Sequence, residues 1–204
     1  MSSDIPLPIA MLLAVSLALA SCSGAGGADT GRSDGPRPAQ AEAVSSFPTD
    51  DKGLLAKADE VSARYRVRRG IYVVLVDYTR NLMQDRLYLV NRRTRKVVLR
   101  ARVSHAWASG VLRPTDFSNV PESRKSSHGA FETMTSYRGA WGYSMRIRGL
   151  DRGLNDMAEK RSVVFHSTER MKGPYTWGCF ATSGDVNRRL IDSIQGGSLV
   201  YVHR

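Results

Sequence analysis

The chain has 204 residues, the size of one ordinary domain with a tail, and about 150 residues suffice to bury a core without disulfides or metals. Thirty Lys and Arg against nineteen Asp and Glu give a formal charge of +11, and twenty-four of the thirty are arginine. That balance suits an anionic partner: nucleic acid, phospholipid head groups, lipopolysaccharide or anionic wall polymer.

From Leu7 to Ala20 the chain is almost wholly apolar, with Pro8 and Ser16 as exceptions. Fourteen residues match the hydrophobic segment of a signal peptide and fall short of a membrane-spanning helix. Leu19-Ala20-Ser21-Cys22 follows: small residues suit a peptidase cut, and the cysteine offers a thiol for a lipid. The stretch resembles a bacterial lipoprotein lipobox, with Cys22 as the lipidated first residue after cleavage. The preceding segment departs from the usual pattern, since it carries Asp4 and no Lys or Arg. The resemblance implies an extracytoplasmic protein held to a membrane through Cys22 by acyl chains. Ser23 after the cysteine fits the periplasmic face of an outer membrane in a Gram-negative cell. Nucleic acid then drops out as a partner, and membrane or wall takes its place. Residues 1–21 read as signal peptide. Residues 22–49, rich in Gly, Ala, Ser, Pro and Asp, read as a lipidated cysteine and flexible tether. The folded domain is expected over 50–204.

Leu54, Leu55, Ala58, Val61 and Tyr65 recur at three- and four-residue spacing, which predicts one amphipathic helix packed outside a sheet, with Asp50 or Asp51 as its N-cap. Ile71 to Val76 is continuously apolar, as a central strand is. Arg86 to Val90 and Lys96 to Val103 flank a turn at Asn91 to Arg95 and read as a hairpin with a wet, arginine-rich face. A polar excursion from His105 leads through a turn-like Asn119 to Ser127 and back into a strand at His128 to Phe131. Residues 137–150 mix aromatics and glycines and read as a sheet edge bordering a groove. A short helical piece is expected over Leu154 to Lys160, then a buried strand from Arg161 to His166. A helix over Val186 to Ile194, stopped by Gly196-Gly197, and a last strand from Ser198 to Val202 complete a mostly β domain.

Cys179 is the only cysteine beyond residue 22, and His166 stands thirteen residues before it at the end of a predicted strand. Free cysteines are often simply buried; the pairing with histidine adds a thiolate–imidazole reading, in which His166 takes the thiol proton and hands it to a leaving amine. Gly178 lets the backbone approach a bound carbonyl, and the amides of Gly178 and Cys179, or of Trp177, are oxyanion-hole candidates. Thr176 offers a small hydroxyl to orient backbone or substrate, and Trp177 is either core or pocket wall. Zinc held by His166, Cys179 and either His105 or His128 would lack the close-spaced ligand pairs of a metal site.

His166 followed by Thr176-Trp177-Gly178-Cys179 resembles the His…[Ser/Thr]-x-Gly-Cys signature of the murein L,D-transpeptidase catalytic domain family, the YkuD-like fold. The segments VDYTRNLMQDRLYLVNRRTRKVVLRARVSHA, FSNVPESRKSSHGAFET and GLDRGLNDMAEKRSVVFH match its landmarks in order, over about residues 70–203. The resemblance implies a β-sandwich or partly open barrel with a few short helices. It implies cofactor-free acyl transfer on peptidoglycan stem tetrapeptides, with Cys179 as nucleophile and His166 as base, releasing D-alanine and forming 3→3 cross-links. Hydrolysis through the same acyl-enzyme, as an L,D-carboxypeptidase or amidase, is the sibling activity; a wall-binding lipoprotein without catalysis is the alternative of another class. Asn119, Ser127 and Gly129 match groove or support positions, and His105 matches a pocket-lining histidine. Three departures stand out. Ser167 replaces a common glycine, Thr176 a serine, and Tyr175 and Phe180 an Arg and a Pro, which removes a fork for a substrate carboxylate that Arg170 or Lys172 would have to replace.

Overall fold

The computed structural model describes residues 46–204. Helix α1 spans Asp51–Arg64, and Asp50 caps it by accepting a hydrogen bond from the Gly53 amide at 3.2 Å. Strand β1 (Tyr72–Asp77) pairs antiparallel with β2 (Leu87–Asn91), which pairs with β3 (Lys96–Ala101) across the expected hairpin. A long hairpin of β4 (Gly129–Gly139) and β5 (Gly142–Gly149) follows, then β6 (Val164–Ser167), β7 (Phe180–Thr182), helix α2 (Gly184–Ile194) and β8 (Leu199–His203). All eight strands form one sheet in the order β3-β2-β1-β8-β4-β5-β6-β7, parallel at β1–β8 and β6–β7. The sheet is curled into an open half-barrel, so of the two expected architectures the partly open barrel applies.

The alternation of β1 explains its unbroken apolar run. Val73 and Leu75 face one side and pack with Leu54, Ala58 and Val61 of α1; Val74 and Val76 face the other and join Leu190, Ile191 and Ile194 of α2. Both faces are dry from Val73 to Val76, so the run there is apolar throughout; the buried Asp77 that ends the strand turns its carboxylate to the Thr79 amide and hydroxyl. Phe47, which composition leaves in the tether, is buried and stacks on His203 at 5.0 Å, so the packed domain begins before residue 50.

Two local expectations are corrected. Residues 154–160 form consecutive turns, not a helix. Asn155 is the reason: its side chain accepts from the Asp151 amide and donates to the carbonyls of His128 and Ala130, tying the segment to the start of β4. The 137–150 hairpin is interior to the sheet, with β5 paired on both sides; the edges are β3 and β7. Strand β7 carries no periodic signal in three residues, and it is set by register against β6. Beyond β3 the chain swings toward β7, where the Ser104 amide donates to the Ala181 carbonyl at 2.8 Å.

Candidate active site

Strands β6 and β7 pair in parallel with Phe165 opposite Phe180 and His166 opposite Ala181. Opposed residues share a face, and successive residues alternate. Phe165 and Phe180 therefore point together into the core, where their rings stack at 5.0 Å, and Cys179, one residue before Phe180, falls on the face that carries His166. By this alternation two residues thirteen apart in sequence share one face of the paired strands, with Cys179 Sγ directed at the Ser162 carbonyl. A cavity of about 450 Å³ opens along the β3–β7 seam, lined by Arg102, Ser104, Thr168, Pro174, Ala181 and Thr182 among others; neither Cys179 nor His166 is part of its lining.

His166 is only 3% exposed, and its Nδ1 lies 2.9 Å from the Ser167 carbonyl. A carbonyl only accepts, so Nδ1 carries the proton and Nε2 is left as the basic nitrogen. Burial holds the imidazole below the usual histidine range, which keeps it neutral and able to accept a proton. Trp141, at the tip of the β4–β5 hairpin, stacks on the ring at 5.2 Å and 26°. The tip is pinned by Arg170, whose Nη1 donates to the Ala140 carbonyl at 2.9 Å.

Cys179 is partly buried, and its Sγ lies 3.7 Å from the Ser162 carbonyl. Burial pushes the thiol up, while the Val164 amide and the Arg161 guanidinium pull it down. The turn before it needs glycine: Gly178 has φ +127°, and a Cβ there would stand 3.2 Å from the Lys125 carbonyl. Thr176 locks this turn. Its hydroxyl accepts from the Gly178 amide at 3.2 Å and donates to the Cys179 carbonyl at 2.8 Å. The Gly178 amide is thereby occupied and does not face an open oxyanion position; the Trp177 amide takes part in neither bond. Thr176 itself is buried, a brace for the turn and not a groove wall. Trp177 is 70% exposed beneath the Arg124 guanidinium at 4.6 Å, which places it on the surface and not in the core.

The remaining expected groove residues are structural. His105 is fully buried: its Nδ1 meets Arg86 Nη2 at 2.8 Å and its Nε2 meets the Gly110 carbonyl at 2.8 Å. A guanidinium only donates, so Nδ1 accepts and Nε2 carries the proton. Burial pushes this histidine down to about 4. It braces the excursion after β3. Asn119 donates to Asp156 at 2.7 Å and accepts from the Met157 amide at 3.0 Å, joining two loops. Ser127 is buried between the Ser118 carbonyl and Arg161. Gly129, at φ +93°, leaves room for Asp151, whose carboxylate would lie 2.4 Å from an added Cβ. These three are support positions.

Sequence reasoning missed Trp141, Arg86 and Arg161. Arg161 had a signal, since it sits in the GLDRGLNDMAEKRSVVFH segment that matches the family; Trp141 had only a general one, its place in the aromatic and glycine stretch of residues 137–150 that reads as bordering a groove. Among the departures, Ser167 supplies the carbonyl for His166 and caps the 3₁₀ turn Thr168–Arg170 through its hydroxyl. Tyr175 donates its hydroxyl to the Val111 carbonyl at 3.0 Å, and Phe180 fills the core. Arg170 is engaged at the hairpin tip and does not replace the missing fork. Cys22 lies outside the described residues. Among the described residues no group of three or more His, Cys, Asp or Glu is placed to hold a metal ion.

The family model for the L,D-transpeptidase catalytic domain matches residues 52–203. No curated protein matches the chain. Similar solved structures include an L,D-transpeptidase from Mycobacterium smegmatis, 12% identical over 66% of this chain and 59% of that one, with a TM-score of 0.41. L,D-transpeptidase 1 from Mycobacterium tuberculosis is 13% identical over 66% of this chain and 62% of that one, with a TM-score of 0.40. The helical cell shape determining protein Pgp2 from Campylobacter jejuni is 10% identical over 76% of this chain and 55% of that one, with a TM-score of 0.49. The chain spans about three-fifths of the length of these structures. With the family model covering nearly the whole of the described domain, the chain belongs to the L,D-transpeptidase catalytic domain family.

Proposed function

We propose that this protein performs cysteine-dependent acyl transfer on peptidoglycan stem tetrapeptides. The observation that supports the reading is the parallel pairing of β6 and β7, by whose alternation Cys179 shares a face with His166, together with the Nδ1 contact that leaves His166 Nε2 without a proton. His166 takes the thiol proton, and Sγ attacks the carbonyl that joins the third-position diamino acid to the terminal D-alanine. The tetrahedral intermediate collapses as the C–N bond breaks, and the imidazolium returns its proton to the departing D-alanine amine. An amine of a second stem then attacks the thioester, gives its proton to His166 and releases the thiolate as a 3→3 cross-link forms. In the same reading the leader and Cys22 anchor the domain by lipid at the periplasmic face of the outer membrane, where the substrate lies.

The test uses the full chain with purified disaccharide tetrapeptides, reading products and intact protein by mass spectrometry. An acyl adduct on Cys179 together with a 3→3 dimer is the expected result. Tripeptide without dimer would make the protein a carboxypeptidase, with water as acceptor. C179A abolishes adduct and turnover while leaving the fold intact, and a C179A chain with full activity would overturn the mechanism. Replacing His166 by alanine lowers turnover by roughly 10² or more.

A further inference from the structure

Arg161 lies directly behind the nucleophile turn and has no assigned role in the chemistry above. Its Nη1 donates to the Ser118 carbonyl at 2.6 Å and to Ser127 Oγ at 2.5 Å, while Nη2 donates to the Lys125 carbonyl at 2.5 Å and to Ser123 Oγ at 3.3 Å. A Cβ on Gly178 would stand 3.4 Å from Nη2, so the guanidinium packs against the glycine that precedes Cys179. The next residue, Ser162, is left-handed at φ 54°, and its carbonyl lies 3.7 Å from Cys179 Sγ.

Every partner of this guanidinium is a neutral oxygen. Among the described residues Arg161 belongs to no ion pair, so nothing cancels its charge. A cation held this way in a partly dry pocket projects a stronger field than a salt-bridged one on the surface. The other ionisable groups around Cys179 do not supply one. Tyr78 is buried, with its hydroxyl pushed well up, and His166 is held neutral. Lys125 is paired with Asp116, and Arg124 sits over the exposed Trp177 ring at the rim.

We propose that Arg161 is the positioning residue of the nucleophile: its guanidinium fixes the Ser118–Lys125 loop against the Gly178 turn and supplies the unneutralised positive charge that favours the Cys179 thiolate. The inference rests on Cys179 being the nucleophile, but its test does not require turnover. Burial disfavours the Cys179 thiolate, and the Arg161 charge acts in the opposite direction.

The experiment is the pH profile of iodoacetamide alkylation in the full chain, read by mass spectrometry on the Cys179 peptide so that Cys22 does not interfere. In R161Q and R161M the midpoint rises by about one to two pH units, and alkylation at neutral pH slows about tenfold or more. R161K keeps the charge without the fork and stays within about half a unit of the native chain. A folded R161Q or R161M with the native midpoint overturns the proposal, whereas a merely structural role would lower stability and leave the midpoint in place. Should neither neutral variant fold, the native chain decides: a midpoint at or below the ordinary thiol value of about 8.5 supports the proposal, and one above it overturns it. Absence of an acyl adduct with normal alkylation profiles would instead count against the tetrapeptide as substrate and leave the role of Arg161 standing.

Discussion

Mild acid should destabilise this fold well above the range in which carboxylates titrate, and His105 shows why. Its Nδ1 accepts from Arg86 and its Nε2 donates to Gly110, so a second proton would have to replace an accepted hydrogen bond and face a guanidinium. Burial sets its folded pKa at about 4, against 6.5 for an unperturbed histidine. The unfolded chain therefore binds this proton first as pH falls. The stabilisation is complete above about pH 6.5 and is lost progressively as pH falls toward the folded value. At pH 5.5 the unfolded histidine is about nine-tenths protonated and the folded one almost bare, a loss on the order of 1.4 kcal/mol. In a domain of this size that corresponds to a thermal midpoint roughly 3 to 6 °C lower. His128, also pushed down to about 4 by burial, adds a similar amount, and His166 and His203 shift in the same direction. Thermal and urea melts at pH 7.5, 6.5 and 5.5 measure the slope. H105N should be less stable at pH 7.5 and should lose about 1.4 kcal/mol of the pH-dependent part. A reversible transition with the same stability at pH 7.5 and 5.5 would refute the reasoning.

Two further outcomes follow from the geometry around the pair. G178A forces a side chain into φ +127° and against the Lys125 carbonyl at 3.2 Å, at a cost of about 1–3 kcal/mol; the chain should stay folded with a lower melting point, and Cys179 alkylation should change, whereas native alkylation kinetics would show that the turn does not set the position of Sγ. W141A removes the ring that stacks on His166 without touching the core, since Trp141 is 45% exposed. With less burial the His166 pKa should rise toward the ordinary value, moving the acid limb of the pH–rate profile to higher pH, and an unmoved limb would mean that Trp141 does not shield the imidazole.

The legible parts of the fold were those that one segment decides for itself. The β1 run reads as a buried strand because both faces are dry, α1 carries its own N-cap and apolar stripe, and the β2–β3 hairpin carries its turn residues between two strands. What stayed hidden was decided by a distant partner. The apolar spacing of residues 154–160 fits a helix, but the Asn155 side chain bonds to backbone 25 and 27 residues away and holds the segment as turns. Arg86 stands between Asp85 and the first residue of β2, and nothing local announces a fully buried arginine; only the approach of Val103 and His105 makes it one. The same contact changes His105 from a pocket candidate into a brace.

The family pattern departs here around recognition more than around chemistry, and the contacts explain how those parts separate. The Cys179–His166 face depends on the β6–β7 register, the Gly178 turn and the Ser167 carbonyl. Serine at 167 keeps that carbonyl and adds a hydroxyl cap, and threonine at 176 has the hydroxyl that locks the turn, so neither departure removes a part of the machinery. Phenylalanine at 180 points to the opposite face and fills the core. Tyr175 is different, because it gives up a charged fork and spends its hydroxyl on the Val111 carbonyl, bracing the loop before Thr176. Arg170 is committed to the hairpin that covers His166. On the proposed function, a change of substrate contact is therefore compatible with unchanged acyl chemistry, and kinetics of Y175R should separate the two: a lower KM with unaltered Cys179 alkylation would place the difference in binding, while a loss of alkylation would show that Tyr175 instead holds the loop that carries Cys179.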